Sequence, residues 1–286
     1  MIHAQPKKIF IREGETVTIR ALGDIHLSQK ASDTDRFIED LKERKTDTTL
    51  FIDMGDSMDS IGGTAHKYFN PKSLKDEIML ADVPPLNAER DLLISILKKY
   101  TKPDEWLGHF SGNHPLMLLG TGLDLMQDVC SQCGHTYLGY QAYVPIQIEV
   151  PGGNKASMMI LGSHGFGGGG QRWEGAGVNA YIQHAMRYEG WDIALYGHRH
   201  DKWVKPLAKI WPYSHPSGAR GVKEDVRLVA QCGTYLRTLS DGIYPTYSEK
   251  AGMTPRPLGG IDIQFKVVKE KIKGGKRSIR IKFLNT

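Results

Sequence analysis

Hydrophobic and polar positions along the chain switch repeatedly between two patterns. Thr16-Val-Thr-Ile-Arg-Ala-Leu22 alternates and is rich in β-branched residues, which predicts a strand ending at Gly23. Short apolar runs follow at Thr48–Met54, Trp106–Phe110, Met158–Leu161 and Trp191–Tyr196, each closed by a glycine one or two places on. Apolar residues at helical spacing predict helices over Asp33–Arg44, Asn87–Tyr100, Leu123–Cys133 and Val178–Tyr188. This βα alternation predicts a layered α/β domain. Two hairpins complete the pattern. One pairs Tyr143–Val150 with Lys155–Leu161 across Pro151-Gly-Gly-Asn154. The other occupies residues 261–284, with Gly274-Gly275 at its turn; Ile263, Phe265 and Val267, then Ile279, Ile281 and Phe283, are expected to face the core. No repeat, low-complexity tract or linker divides the 286 residues, so residues 1–286 read as a single domain. Residues 60–86 read as an insertion that caps or narrows a pocket.

Composition narrows this little. Hydrophobic residues at 40% and charged ones at 24% are those of an ordinary globular protein with an ample core. No apolar run approaches the roughly 18 residues of a membrane span, and the first 20 residues lack a secretory apolar region. A cytoplasmic protein without membrane contact is the expectation, with the oligomeric state left open. Three cysteines exclude a disulfide framework, and Cys130-Ser-Gln-Cys133 has no second pair at zinc spacing, so free thiols are expected. The net charge of +5 gathers in Lys266, Lys269, Lys271, Lys273, Lys276, Arg277, Arg280 and Lys282. Such a stripe reads first as protection of a sheet edge and second as a surface for nucleic acid.

The chemistry lies in five short motifs, each just past a predicted strand: Gly23-Asp24-Ile25-His26, Gly55-Asp56-Ser57-Met58-Asp59, Gly112-Asn113-His114, Gly162-Ser163-His164 and Gly197-His198-Arg199-His200. In open α/β sheets that end of the strands is where sites form. Asp24, His26, Asp56, Asn113, His164, His198 and His200 offer two carboxylates, an amide oxygen and four imidazoles, a set suited to two adjacent divalent ions. Asp24 and His26 lie two apart, as do His198 and His200, so on extended backbone each pair points one way. Asp56 can bridge two ions roughly 3.5–4 Å apart, which would clamp a phosphate and acidify a shared water. The glycines are expected to supply positive φ at the strand exits. Any one motif alone reads more readily as a buried, satisfied polar residue; five in order at strand ends do not. A glycine run, Gly165–Gly170 broken by Phe166, precedes Arg172, expected to reach for phosphate, and Trp173, expected to stack on a base or aromatic leaving group. His3, His66, His109, His135, His184 and His215 lack such context and read as structural, with His66 and His215 set apart because they fall in loops. Asp201 is expected at the surface.

In this order the motifs resemble the calcineurin-like metallophosphoesterase superfamily, whose pattern is Asp-x-His, Gly-Asp-x-x-Asp, Gly-Asn-His-(Asp/Glu), a later His, and Gly-His-x-His. The resemblance runs from residue 16 to about residue 240. It implies a four-layer α/β/β/α sandwich around a dinuclear site. Asp24, His26, Asp56 and His200 would hold one ion, and Asp56, Asn113, His164 and His198 the other. Mn²⁺ fits best, with Fe, Zn or Ni also compatible with the ligand set. A metal-bridging hydroxide would attack the phosphodiester substrate, His114 would stabilise the transition state or protonate the leaving oxygen, and Asp59 would orient its neighbours. Two departures stand out. Pro115 replaces the family's acid, leaving Asp59 or Asp124 to hold His114. Ser60 stands where the Ser/Thr phosphatases carry a phosphate-binding arginine, which favours phosphodiesters over monoesters. A DNA or RNA nuclease of the same superfamily is the alternative, with a phosphomonoesterase and a non-catalytic scaffold behind it.

Overall fold

The computed structural model describes residues 2–59, 71–116, 124–167, 175, 177–214, 220–239, 245–250, 252–271 and 277–284. Its elements run β1 (Ile2–His3), β2 (Lys7–Phe10), β3 (Thr16–Leu22), α1 (Thr34–Lys42), β4 (Thr48–Asp53), α2 (Asp76–Met79), α3 (Pro85–Tyr100), β5 (Trp106–His109), α4 (Asn113–Leu116) and α5 (Leu125–Cys133). They continue with β6 (Gln141–Val150), β7 (Asn154–Ser163), α6 (Val178–Ala185), β8 (Ile193–Tyr196), β9 (Lys202–Ser214), β10 (Arg220–Cys232), α7 (Tyr247–Lys250), β11 (Ile261–Lys271) and β12 (Arg277–Leu284). The fold is mixed α/β with two sheets. One has five strands in the order β12-β11-β3-β4-β5; the other has seven, β1-β6-β7-β8-β10-β9 with β2 also on β6. β3, β4 and β5 are mutually parallel, as are β7, β8 and β10.

The apolar runs are strands because both their faces are covered. Leu50 and Ile52 of β4 enter one cluster with residues of the other sheet, among them Val144, Ile160, Ile193 and Leu228. Phe51, between them, joins Phe37 and Leu41 of α1, Leu93 and Leu97 of α3, and Met126 and Val129 of α5. On the seven-stranded sheet Ile193 and Leu195 share the first cluster, while Ala194 and Tyr196 meet Tyr181 and Ala185 of α6. Each large apolar side chain buried in this way is worth about 1.5–3 kcal/mol.

Helix ends follow local chemistry. Asp33 caps α1 by accepting the Arg36 N–H at 3.3 Å, and Asp124 caps α5 by accepting that of Gln127 at 3.1 Å. Gly134, at φ 70°, closes α5. α6 stops at Ala185 rather than running to Tyr188, because Trp191 Nε1 takes the carbonyls of both Ala185 and Tyr188 at 2.9 Å. The first predicted hairpin forms as β6 and β7. In the second, Ile263, Phe265 and Val267 are buried, with Ile279, Ile281 and Phe283 packed partly buried on the same cluster; its turn lies outside the described residues. β12 is an edge strand, and Lys269 and Arg280 pair with Glu13 and Asp225 at 2.8 and 2.9 Å. β1, β2 and the β9–β10 ribbon are elements that the sequence pattern did not predict.

Candidate metal centre

Every candidate ligand leaves the carboxyl end of a strand: Asp24 and His26 after β3, Asp56 after β4, Asn113 after β5, His164 after β7, and His198 and His200 after β8. The backbone there is not extended. Asp24, His26, Asp56, His198 and His200 have φ of 49°, 48°, 50°, 72° and 59°, and no other non-glycine residue described has positive φ. Sparse conformations of this kind cost of order 1–3 kcal/mol each and gather at functional sites. The glycines therefore act differently from the expectation. Gly55 does take φ 100°, but the other four motif glycines keep negative φ and provide room. A Cβ on Gly112 would stand 1.7 Å from Asp56 Oδ1, and one on Gly197 would stand 3.0 Å from Asp24 Oδ2.

Asp24 and His26 stay together, but His198 and His200, also two apart, part company. His200 Nε2 lies 3.4 Å from Asp24 Oδ1, and Asp24, His26 and His200 present ligand atoms that converge. His198 turns instead to Asp56 and His164, a second converging group. Hydrogen bonds already choose the imidazole tautomers. His164 Nδ1 donates to the Met54 carbonyl at 2.8 Å, His198 Nε2 to that of Gly167 at 2.7 Å, and His26 Nδ1 to Asp59 Oδ1 at 2.9 Å. His164 Nε2 is left facing Asn113 Oδ1 at 3.0 Å and Asp56 Oδ2 at 3.2 Å. Three lone-pair atoms so close repel unless a proton or cation lies among them. Asp24 Oδ1 and His26 Nε2 are buried without hydrogen-bond partners. These His/Asp groups could hold a metal ion, and the orphaned atoms are the ones such an ion would satisfy.

His114 is held from three sides. Its N–H donates to Asp56 Oδ1 at 3.0 Å, its Nδ1 lies 3.1 Å from both Asp59 Oδ1 and the Asp59 carbonyl, and its Nε2 stands 3.9 Å from Asp56 Oδ2. Asp59, rather than Asp124, is the acid that holds His114; Asp124 instead caps α5 and accepts the Tyr137 hydroxyl at 2.6 Å. Asp59 Oδ2 also accepts from Gln29. Glu89, buried on α3, accepts the backbone N–H of Asp59 at 2.6 Å and of Ser28 at 3.2 Å, fixing both neighbouring loops. Nothing in the sequence singles Glu89 out, except that it is a charge on the apolar face of a helix.

The electrostatics follow from these contacts. Burial alone would keep His114 neutral, but the charge of Asp56 and the hydrogen bond to Asp59 outweigh it, pushing His114 up to about 10. His164, likewise opposed by burial and raised by Asp56, is pushed up to about 9. Burial would raise Asp59 and Asp56; the hydrogen bonds of His114 and His26 hold Asp59, and the charges of His164 and His114 hold Asp56, well below the ordinary carboxylate range. His198 is lowered, by burial and then by His164.

Elsewhere the picture shifts. Arg172, Trp173, Ser60, His66 and His215 lie outside the described residues. Asp201 is buried, not at the surface: it pairs with Arg256 and accepts the Gly175 N–H at 3.2 Å and, through its carbonyl, that of Gly233 at 2.8 Å. The three cysteines are free and buried. The described end of the 60–86 segment lies against the loop after His26, where Lys30 N–H donates to the Ser73 carbonyl and Lys75 N–H to that of Ser28, both at 2.8 Å. A cleft of about 420 Å³ is lined by Tyr140, Gln141, Phe166, Gln183 and Arg187 among others, and by none of the candidate ligands. Among the described residues no helix is long and apolar enough to cross a membrane.

No family model matches the chain, and no curated protein matches it. Among solved structures, Vps29 of Chaetomium thermophilum is similar at 10% identity over 93% of this chain and 96% of that one, with a TM-score of 0.32. A Plasmodium structure described as GAP50, the anchor in the inner membrane complex, is 11% identical over 94% and 84%, with a TM-score of 0.42. At scores this low the likeness carries no argument about what the chain is or does.

Proposed function

We propose that the chain is a dinuclear metal-dependent phosphodiesterase built as a four-layer α/β/β/α sandwich. The layering is supported by three apolar clusters, one shared by the two sheets and one between each sheet and its helices. The activity is carried by one observation: among the described residues, the non-glycine residues held at positive φ are all candidate ligands, and they bring buried lone-pair atoms together at the ends of parallel strands. Asp24, His26 and His200 would hold one ion and Asn113, His164 and His198 the other, with Asp56 shared between them. Mn²⁺ is the proposed ion. When bound, the pair would supply Lewis acidity and an activated water.

The chain's own residues do the rest. Asp59 holds the His114 ring by Nδ1, which leaves Nε2 pointing to the Asp56 side of the cluster, where it can give its proton to the leaving oxygen. The raised protonation of His114 and the partial exposure of its side chain (28%) fit a proton donor better than a fifth imidazole ligand. Metal-stripped protein resupplied with Mn²⁺ should hydrolyse bis(p-nitrophenyl) phosphate well and p-nitrophenyl phosphate poorly. His114→Ala should keep its metal and lose about 10²–10⁴-fold on alkyl diesters. Full activity of that variant on an alkyl diester would remove His114 from the mechanism, and a preference for the monoester would replace the diesterase reading with a phosphatase.

A further inference from the structure

A buried polar chain lies behind Asp56. Asp53, the last residue of β4, is 3% exposed. Its Oδ1 accepts the Gly55 N–H at 2.9 Å, and its Oδ2 accepts the Ser57 hydroxyl at 2.6 Å. One carboxylate therefore grips the residues on both sides of Asp56. His109, the last residue of β5 and 1% exposed, bonds Asp53 Oδ2 through Nδ1 at 3.1 Å and His135 Nδ1 through Nε2 at 2.8 Å. A carboxylate only accepts, so His109 Nδ1 carries the hydrogen and His109 Nε2 accepts from His135. Trp106 stacks on both rings, at 4.2 and 5.3 Å, and fixes their plane. His135 is anchored in turn by its N–H on the Cys130 carbonyl at 2.9 Å.

We infer that Asp53 and His109, with His135 behind them, are positioning residues: they hold the Gly55–Ser57 turn and, through it, the strained Asp56. The inference rests on reading Asp56 as a metal ligand. The physical need is plain. Asp56 sits at φ 50°, a conformation that persists only where the surroundings over-determine it. Neither Asp53 nor His109 is among the converging ligand atoms, so the pair acts through the turn.

The test uses two isosteres with different reach. In His109→Asn the side-chain NH₂ falls near the place of Nδ1 and keeps the bond to Asp53. In His109→Gln it falls near Nε2 and loses that bond. Mn²⁺ is titrated calorimetrically into each metal-stripped protein, and metal-free thermal unfolding is recorded beside it. The expected result is an affinity loss of about 10–100-fold for the Gln variant and recovery in the Asn variant, although both lose stability. Equal affinity in Gln variant and wild type overturns the inference, and so does a loss shared by both variants that follows their stability. Should either variant fail to fold, His135→Ala at the half-buried end is expected to weaken Mn²⁺ by about threefold, and an unchanged affinity there overturns the inference equally. Wild type that takes up no Mn²⁺ overturns the metal reading and this inference with it, a result separate from unequal variants of a binding protein.

Discussion

β8 and the β9–β10 ribbon neighbour each other in one sheet, yet they are built on opposite terms. β8 is four residues long, every one buried, and it delivers His198 and His200 to the centre. β9 and β10 have thirteen residues each. Only the Leu228–Cys232 end of β10 is wholly covered; beyond it Val222 and Ile210 are 69% and 65% exposed. A strand packed on both faces ends at a defined place, so the turn after it can hold a side chain in a strained conformation. A ribbon covered at one end has no such anchor. β9 is also an edge, and Pro206 and Pro212 remove two N–H groups that another strand could have used.

Substitutions at the ends of the short strands should therefore cost most. Asp56→Asn should lower metal occupancy in both positions and cut diester hydrolysis by more than the 10–100-fold that outer partners are worth, as read by metal analysis and steady-state kinetics. Gly112→Ala should do comparable harm without replacing a ligand, because its Cβ would stand 1.7 Å from Asp56 Oδ1. An unchanged metal content in Gly112→Ala would break the argument that these glycines provide room. Within the layers, Leu195→Ala should cost about 2–5 kcal/mol in denaturant unfolding, since it is fully buried between the sheets.

A smaller effect follows from protons. His164 is raised to about 9 in the metal-free chain, so near pH 7 it is protonated, whereas a metal ligand must be neutral. Metal uptake should release a proton, and affinity should climb with pH until about pH 9, which calorimetry in buffers of different ionisation enthalpy would measure. The stabilisation linked to this raised histidine is complete below its ordinary value near 6.5 and lost as pH rises through about 9. Metal-free protein should thus weaken more steeply across that window than metal-loaded protein, in which only the raised His114 still contributes. Smallest of all, Ile210→Lys on the ribbon should change stability by no more than about 0.5 kcal/mol. A larger loss there would show that the ribbon is covered after all.

The same contrast governs what the sequence made legible. β3 was predicted to the residue, and β4, β5 and β8 were recognised with near-native bounds, because apolar runs closed by glycine leave few alternatives. The β9–β10 ribbon escaped because its prolines and its mixed, half-exposed faces give no clean period. Residue types at the centre were legible too, but their backbone was not. Reading Asp24 and His26 as extended neighbours missed that each lies in the left-handed region. Glu89 and Asp53 went unnoticed, since a buried carboxylate looks like any surface acid until the N–H groups aimed at it are known. Asp201 was misplaced for the same reason: Arg256, 55 residues away, is what permits its burial.

The left-handed ligand residues set two selective forces against each other. Glycine adopts such conformations freely, so replacing His26, His198 or His200 with glycine should relax the backbone while removing an imidazole. In a laboratory evolution run for heat resistance in chelator, glycine should accumulate at those positions. With metal and a phosphodiester as the selected trait, it should be purged from them. The turns thus record which of the two histories a lineage has had.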